Sequence, residues 1–227
     1  LALNIARNAG VRFNFTTAIF SVEMSRWQIA QRFLSTESEV DSTRIREGRL
    51  SAQDIRKLGE GLEVLQNAPI YVDDTRSIGL SELRSRARRL HAEHPLDLII
   101  IDYLQLAGSA PQEDRAQVIS EMTRSLKALA REMNVPVIAL SHLSRTVDGR
   151  SSRVPILTDL PAPSIEQDAD VVIFVYREDV YDKETERKGI TELHIAKHRN
   201  GPTGIVSLLF MERNTRFVDL AIEPVSV

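Results

Sequence analysis

The feature that most constrains this chain is an apolar run ending in a carboxylate, Leu98-Ile99-Ile100-Ile101-Asp102. A strand that is apolar at successive positions has no face to give to water, so it must be covered on both sides. That suits the centre of a parallel sheet with helices above and below it. Val135-Pro136-Val137-Ile138-Ala139-Leu140-Ser141 is a second run of this kind, and Thr17-Ala18-Ile19-Phe20-Ser21-Val22 is a shorter β-rich one. Pro69-Ile70-Tyr71-Val72-Asp73 and residues 170–176 read as further strands.

Helical patterns fill the intervals. Ser25 stands where it can cap a helix that carries Trp27, Ile29, Ala30, Phe33 and Leu34. Residues 51–66, residues 82–94 started by Ser81, and residues 115–133 follow as helices. Leu1-Ala2-Leu3-Asn4-Ile5-Ala6 reads as the middle of an apolar helix, so a preceding segment is expected. Residues 144–163, rich in Ser, Arg and Pro, read as a loop. From Thr191 the style changes. Alternating strands 192–197 and 205–210 are joined by a turn at Arg199-Asn200-Gly201-Pro202-Thr203-Gly204, with an edge strand expected at 217–220. The expected fold class is α/β: a mostly parallel central sheet flanked by helices, with an antiparallel C-terminal extension, in one domain over 1–227.

Composition narrows the function classes. The 227 residues suffice for one full-sized core, and 42% hydrophobic with 27% charged residues excludes wholesale disorder. With no cysteine there is no disulfide framework, cysteine-ligated zinc or thiol nucleophile. The apolar runs fall far short of the ~20 residues that span a bilayer, so no membrane role is expected. A net charge of -3 means that any nucleic-acid contact must come from a local patch.

Five groups of residues carry possible chemistry. Asp102, at the end of its strand, has the form of a Walker B element, whose carboxylate reaches a magnesium shell at the carboxyl edge of the sheet. An apolar strand ending in Asp serves equally well as a strand-end turn or helix cap. Glu23 follows another buried strand and could polarise an attacking water; it could also be a charge facing a helix dipole. Ser141-His142 ends the 135–140 strand at the same edge, where His142 could report a γ-phosphate or simply be structural. Lys197 and Arg199 share one strand face by alternation and could clamp a phosphoryl group, or form a solvated basic strand end. Arg84, Arg86, Arg88 and Arg89 give a basic helix, read as a solvated or subunit-contact face with DNA contact as the alternative.

Five strings, in order, closely resemble the DnaB-type bacterial replicative DNA helicase family. They are Ala18-Ile19-Phe20-Ser21-Val22-Glu23-Met24, Leu98 through Leu106, Arg124-Ser125-Leu126-Lys127-Ala128-Leu129-Ala130, Ser164-Ile165-Glu166-Gln167-Asp168-Ala169-Asp170 and Lys197-His198-Arg199-Asn200-Gly201-Pro202. The resemblance implies a RecA-like ATPase domain working in a ring-shaped homohexamer on single-stranded DNA, in the cytoplasm at replication forks. It implies ATP and Mg2+, with primase and a helicase loader as partners. It casts Asp102 as the magnesium residue, Glu23 as the carboxylate that activates water, and Lys197 and Arg199 as a pair reaching the neighbouring subunit's nucleotide. His142 falls among the nucleotide contacts, and DNA contact falls at Arg115 and in the loop with Asp159, Leu160 and Ser164. Three departures stand out. The Gly-rich Walker A loop is expected just before Leu1 and is not in the sequence. His142 stands where the family usually has Gln. The 159–164 loop is one residue short and lacks an Arg. A RecA-like recombinase, a circadian-type ATPase and a non-hydrolysing RecA-like accessory protein share the core and stand as alternatives.

Overall fold

The structure is a computed structural model and describes residues 1–76, 78–102, 104, 115–144, 149–150 and 152–220. Its first sheet contains β1 (Thr17–Ser21), β2 (Ile70–Asp73), β3 (Leu98–Asp102) and β4 (Val137–Ala139). All are parallel, in the order β2-β1-β3-β4. The apolar run of β3 behaves as its composition requires. Ile99 and Ile101 join Ala18 and Phe20 under Leu83, Ala87, Leu126 and Leu129 on one face. Leu98 and Ile100 join Ile19 under Ala2, Ala6, Ile29 and Phe33 on the other. Each such side chain contributes about 1.5–3 kcal/mol on burial, so this strand ties the two helical layers together.

One layer is α1 (Ala2–Arg7), α2 (Arg26–Ser38), α3 (Ser42–Glu47) and α4 (Ala52–Gln66); the other is α5 (Leu80–Glu93) and α6 (Arg115–Met133). A π-helical turn, Asn8–Arg12, prolongs α1. There Gly10 passes so close to β2 that a Cβ would lie 2.5 Å from Ile70 Cγ1. Helix α2 starts at a capping box formed by Ser25 and Gln28, and α4 at one formed by Ser51 and Asp54. α5 starts at Leu80 after Gly79, one residue before the expected Ser81, with no side-chain cap.

The second sheet is antiparallel: β5 (Val171–Tyr176), β6 (Ile190–His198), β7 (Gly204–Met211) and β8 (Arg216–Asp219), in that order. The run at 170–176 therefore belongs with the antiparallel part of the fold. The short helices α7 (Pro163–Asp168) and α8 (Glu178–Tyr181) lead into and out of β5. β4 is shorter than the 135–141 run suggests, because Pro136 has no N–H to add to a ladder. β4 and β5 are the facing edges of the two sheets. Between them lies a mainly apolar cavity of about 860 Å3, lined by Ile138, Leu140, Val171, Ile173 and Val175 among others. Among the described residues, no helix is long and apolar enough to cross a membrane.

Candidate active site

The parallel strands bring their carboxyl ends to one edge, the usual place for a ligand in such sheets. Ser21 and Asp102 are register partners at the ends of β1 and β3. Ser21 Oγ donates to Asp102 Oδ2 at 3.4 Å and accepts the Met24 N–H at 3.1 Å. The Val22 N–H reaches the Asp102 carbonyl at 2.9 Å. Glu23 is thus bracketed: Ser21 fixes the backbone on one side of it and the Ser25 cap on the other. Pairing beyond β3 and β4 continues through Leu140 N–H to the Ile101 carbonyl at 2.9 Å and Leu104 N–H to the Leu140 carbonyl at 2.8 Å. This carries Ser141 and His142 to the same edge. His142 Nε2 lies 3.7 Å from Glu23 Oε2, and both side chains are more than half exposed.

Electrostatics shows that these groups share one space. Burial pushes the Asp102 carboxyl above the ordinary range, and the Glu23 charge pushes it further, against the Ser21 hydrogen bond and the charges of His142 and Arg32. Two carboxylates and a hydroxyl are the hard oxygen donors that a cation such as Mg2+ prefers. Among the described residues, no group of three His, Asp or Glu could hold a metal unaided. A Mg2+ ion here fits as it usually does in nucleotide sites, on one or two carboxylates with phosphate oxygens and water completing the shell.

Arg32 was not singled out from the sequence. It lines the cavity with Asp102 and Thr36, and its charge acts on Asp102. The one local signal was a cation amid the inward residues Ile29, Phe33 and Thr36 of α2.

Lys197 and Arg199 do lie together, over the last turn of α7. Lys197 Nζ donates to the Glu166 carbonyl and, at 3.5 Å, to that of Gln167. Arg199 donates to the Gln167 carbonyl at 3.4 Å and lies 3.4 Å from Asp170 Oδ1. Both cations rest on the carbonyl-rich end of a helix. At the hairpin beyond them, His198 packs against Gly201, where a Cβ would come within 2.3 Å of the imidazole.

The residues expected at DNA are placed differently. Arg115 is the first residue of α6. Asp159 is only 3% exposed. Its carboxylate accepts the Ile156 N–H at 2.8 Å and Arg150 at 2.7 Å. Leu160 packs against the main core, and Ser164 is buried with no hydrogen-bond partner for its hydroxyl among the described residues. All three shape the loop from inside, so they do not offer their side chains to a polyanion directly. Residues 145–148 and 151 of the expected loop lie outside the described residues. The basic helix is largely neutralised: Arg86 pairs with Asp73 and Glu82, Arg88 with Glu132, and Arg84 lies 3.8 Å from Glu132.

A parallel sheet with an acidic pair at its carboxyl edge, joined to an antiparallel sheet, is the architecture of a RecA-like domain. The sequence profile described as "DnaB-like helicase C terminal domain" matches residues 1–219, and the chain belongs to that family. It is 49% identical over 222 residues, 96% of its length, to the replicative DNA helicase DnaB of Geobacillus stearothermophilus. The chain spans about half the length of the curated relatives it matches, 49% in this case. A solved structure described as an ATPase domain superposes with a TM-score of 0.90 at 36% identity, covering 96% of this chain and 79% of that one. The same score and identity hold for a structure titled as a DnaB-like replicative helicase and its interactions with primase, of which 54% is covered.

Proposed function

We propose that this domain is the motor of a replicative helicase, hydrolysing ATP with Mg2+ to translocate on single-stranded DNA as a homohexamer. The observation that carries the reading is the convergence of Glu23, Asp102 and His142 at one sheet edge, from three strands in register. Asp102 would hold Mg2+, which when bound neutralises charge on the phosphate oxygens. Glu23, more exposed and aimed at the same space, takes the proton from the attacking water, a role worth ~10²–10⁴ in rate. His142 hydrogen-bonds the γ-phosphate. Lys197 and Arg199 serve the nucleotide of the adjacent subunit, where an arginine supplied in trans is worth ~10³–10⁵. DNA contact falls to exposed groups of the loop that Asp159, Leu160 and Ser164 shape and to the region of Arg115, six copies of which would line a channel; this reconciles DNA binding with a net charge of -3. Primase and a loader are the expected partners, and the cytoplasm at replication forks the expected place of work.

A Walker A loop ahead of α1, which the resemblance implies, would reach α1 beside the cavity between β4 and β5, since Leu1, Ala2 and Leu3 line it.

In the full-length protein, Glu23→Gln is expected to keep hexamers and nucleotide binding and to lower hydrolysis ~10²–10⁴-fold. Near-normal hydrolysis by intact hexamers would overturn the assignment. Rings mixed from Arg199→Ala and Asp102→Ala subunits are expected to regain turnover at junctions where an intact site meets an intact finger. Mixed rings as inactive as either parent would count against action in trans.

A further inference from the structure

Beside the cation pair stands a charge cluster built from three elements. Lys127 on α6 hydrogen-bonds Asp170 Oδ2, while Arg199 at the end of β6 lies 3.4 Å from Oδ1 of the same carboxylate. The Arg199 N–H also donates to the Asp170 carbonyl at 2.8 Å. One turn earlier on α6, Thr123 Oγ1 donates to Asp168 at 2.5 Å. Helix α6 thus grips both ends of the link between α7 and β5, through positions four apart on one face.

The two cations hold Asp170 unequally. Lys127 is close and 22% exposed, whereas Arg199 keeps only long side-chain contacts and is 45% exposed. The Lys127 hydrogen bond is the main influence keeping the Asp170 carboxyl below its usual range, with smaller help from the Arg199 and Arg131 charges. A carboxylate already neutralised by one cation attracts a second weakly.

We propose that Asp170 is a positioning residue for Arg199, and that Lys127 sets how firmly Asp170 holds it. With Lys127 in place, Arg199 rests at a neutralised carboxylate, oriented through its backbone, and exchanges this contact for a more highly charged phosphoryl group of the next subunit. Without Lys127, Asp170 becomes a full counter-charge and retains the guanidinium. The inference rests on the reading of Arg199 as a residue acting in trans.

The test measures ATP turnover of full-length hexamers with single-stranded DNA. Lys127→Met is expected to lower kcat about tenfold, ~1.4 kcal/mol of barrier, with KM for ATP unchanged. Adding Asp170→Asn to Lys127→Met is expected to restore kcat to within roughly threefold of the parent protein, because the competing charge is gone. A purely structural ion pair predicts no such rescue. A double variant as slow as Lys127→Met, or Lys127→Met at the parent rate, overturns the proposal. If Lys127→Met does not assemble, Asp170→Asn alone decides: DNA-independent turnover rises about threefold if Asp170 restrains the finger, and a fall overturns the idea. Arg199→Ala serves as the control. Parent-level turnover by that variant removes the trans reading itself, whereas loss of turnover there with unaffected Lys127→Met removes only the present inference.

Discussion

Arg86 illustrates why a basic cluster in a sequence need not be a basic surface. Its guanidinium reaches Asp73 at 2.7 Å, Thr75 at 2.7 Å and Glu82 at 2.6 Å. Burial pushes the Asp73 carboxyl up, but hydrogen bonds from Thr75 and Arg86 outweigh it and hold the group below the usual range. A folded-state value below the unfolded one stabilises the fold above the unfolded value and ceases to do so as pH falls through the folded one. Asp73→Asn is therefore expected to cost about 1 kcal/mol at pH 7. That cost should shrink as pH falls from about 4 toward 2, in urea unfolding followed at several pH values. A cost independent of pH would mean that Asp73 acts through shape and not charge. Asp102 has the opposite sign. Burial and Glu23 raise it, so its ionised form disfavours the nucleotide-free fold above the ordinary carboxylate range. Asp102→Asn is expected to raise the Tm of the nucleotide-free protein while abolishing Mg2+-dependent hydrolysis; a lower Tm would show that the Ser21 contact matters more than the charge. Glu23 and Asp102 were legible because each follows an apolar strand, and a strand fixes where its last residue emerges. Arg32 and Asp170 were not, since their meaning arises only when α2 meets β3, or α6 meets β6. Asp159 shows a related limit: the sequence shows a carboxylate in a loop but not that Arg150 and the Ile156 N–H turn it inward.

At the scale of elements, the turn from β1 into α2 does the most for the site. Glu23 sits between a strand whose burial is complete and a helix whose start is fixed by Ser25 and Gln28. Ser25→Ala removes the cap, at a cost of about 1 kcal/mol. In a domain of this size that lowers Tm by roughly 2–4 °C. Because the loosened turn carries Glu23 and not the nucleotide's other contacts, kcat should fall more than nucleotide affinity; a change in Tm with kcat intact would show that Glu23 is held by Ser21 alone. Long elements were readable because their periodicity repeats: α4 and α6 were expected at 51–66 and 115–133 and lie at Ala52–Gln66 and Arg115–Met133. The helices α3, α7 and α8 have six, six and four residues, too few for a period to register. The strand β5 was readable as a strand, but nothing local says whether its partner runs parallel or antiparallel.

At the scale of the whole molecule, the two sheets meet as unfinished edges. β4 ends one sheet and β5 ends the other, and both face the same cavity. Along β5, Val171, Ile173 and Val175 line that cavity and are 43%, 47% and 48% exposed. An edge with free backbone donors and acceptors is a template for another strand. A strand entering α1 through this cavity would pair with both edges, join two four-stranded sheets into one and set a phosphate-binding loop beside Asp102 and Arg32. The proposed nucleotide site and the completed sheet would then form together. The expectation is measurable by hydrogen exchange and thermal unfolding. A longer form of the protein that includes a strand and Walker A loop ahead of α1 should show slower exchange at residues 137–140 and 171–176 than the 227-residue chain alone. It should also unfold at a higher temperature and bind less of a hydrophobic dye. Equal exchange at both edges would place that strand elsewhere, and with it the phosphate loop on which Glu23 and Asp102 are proposed to act.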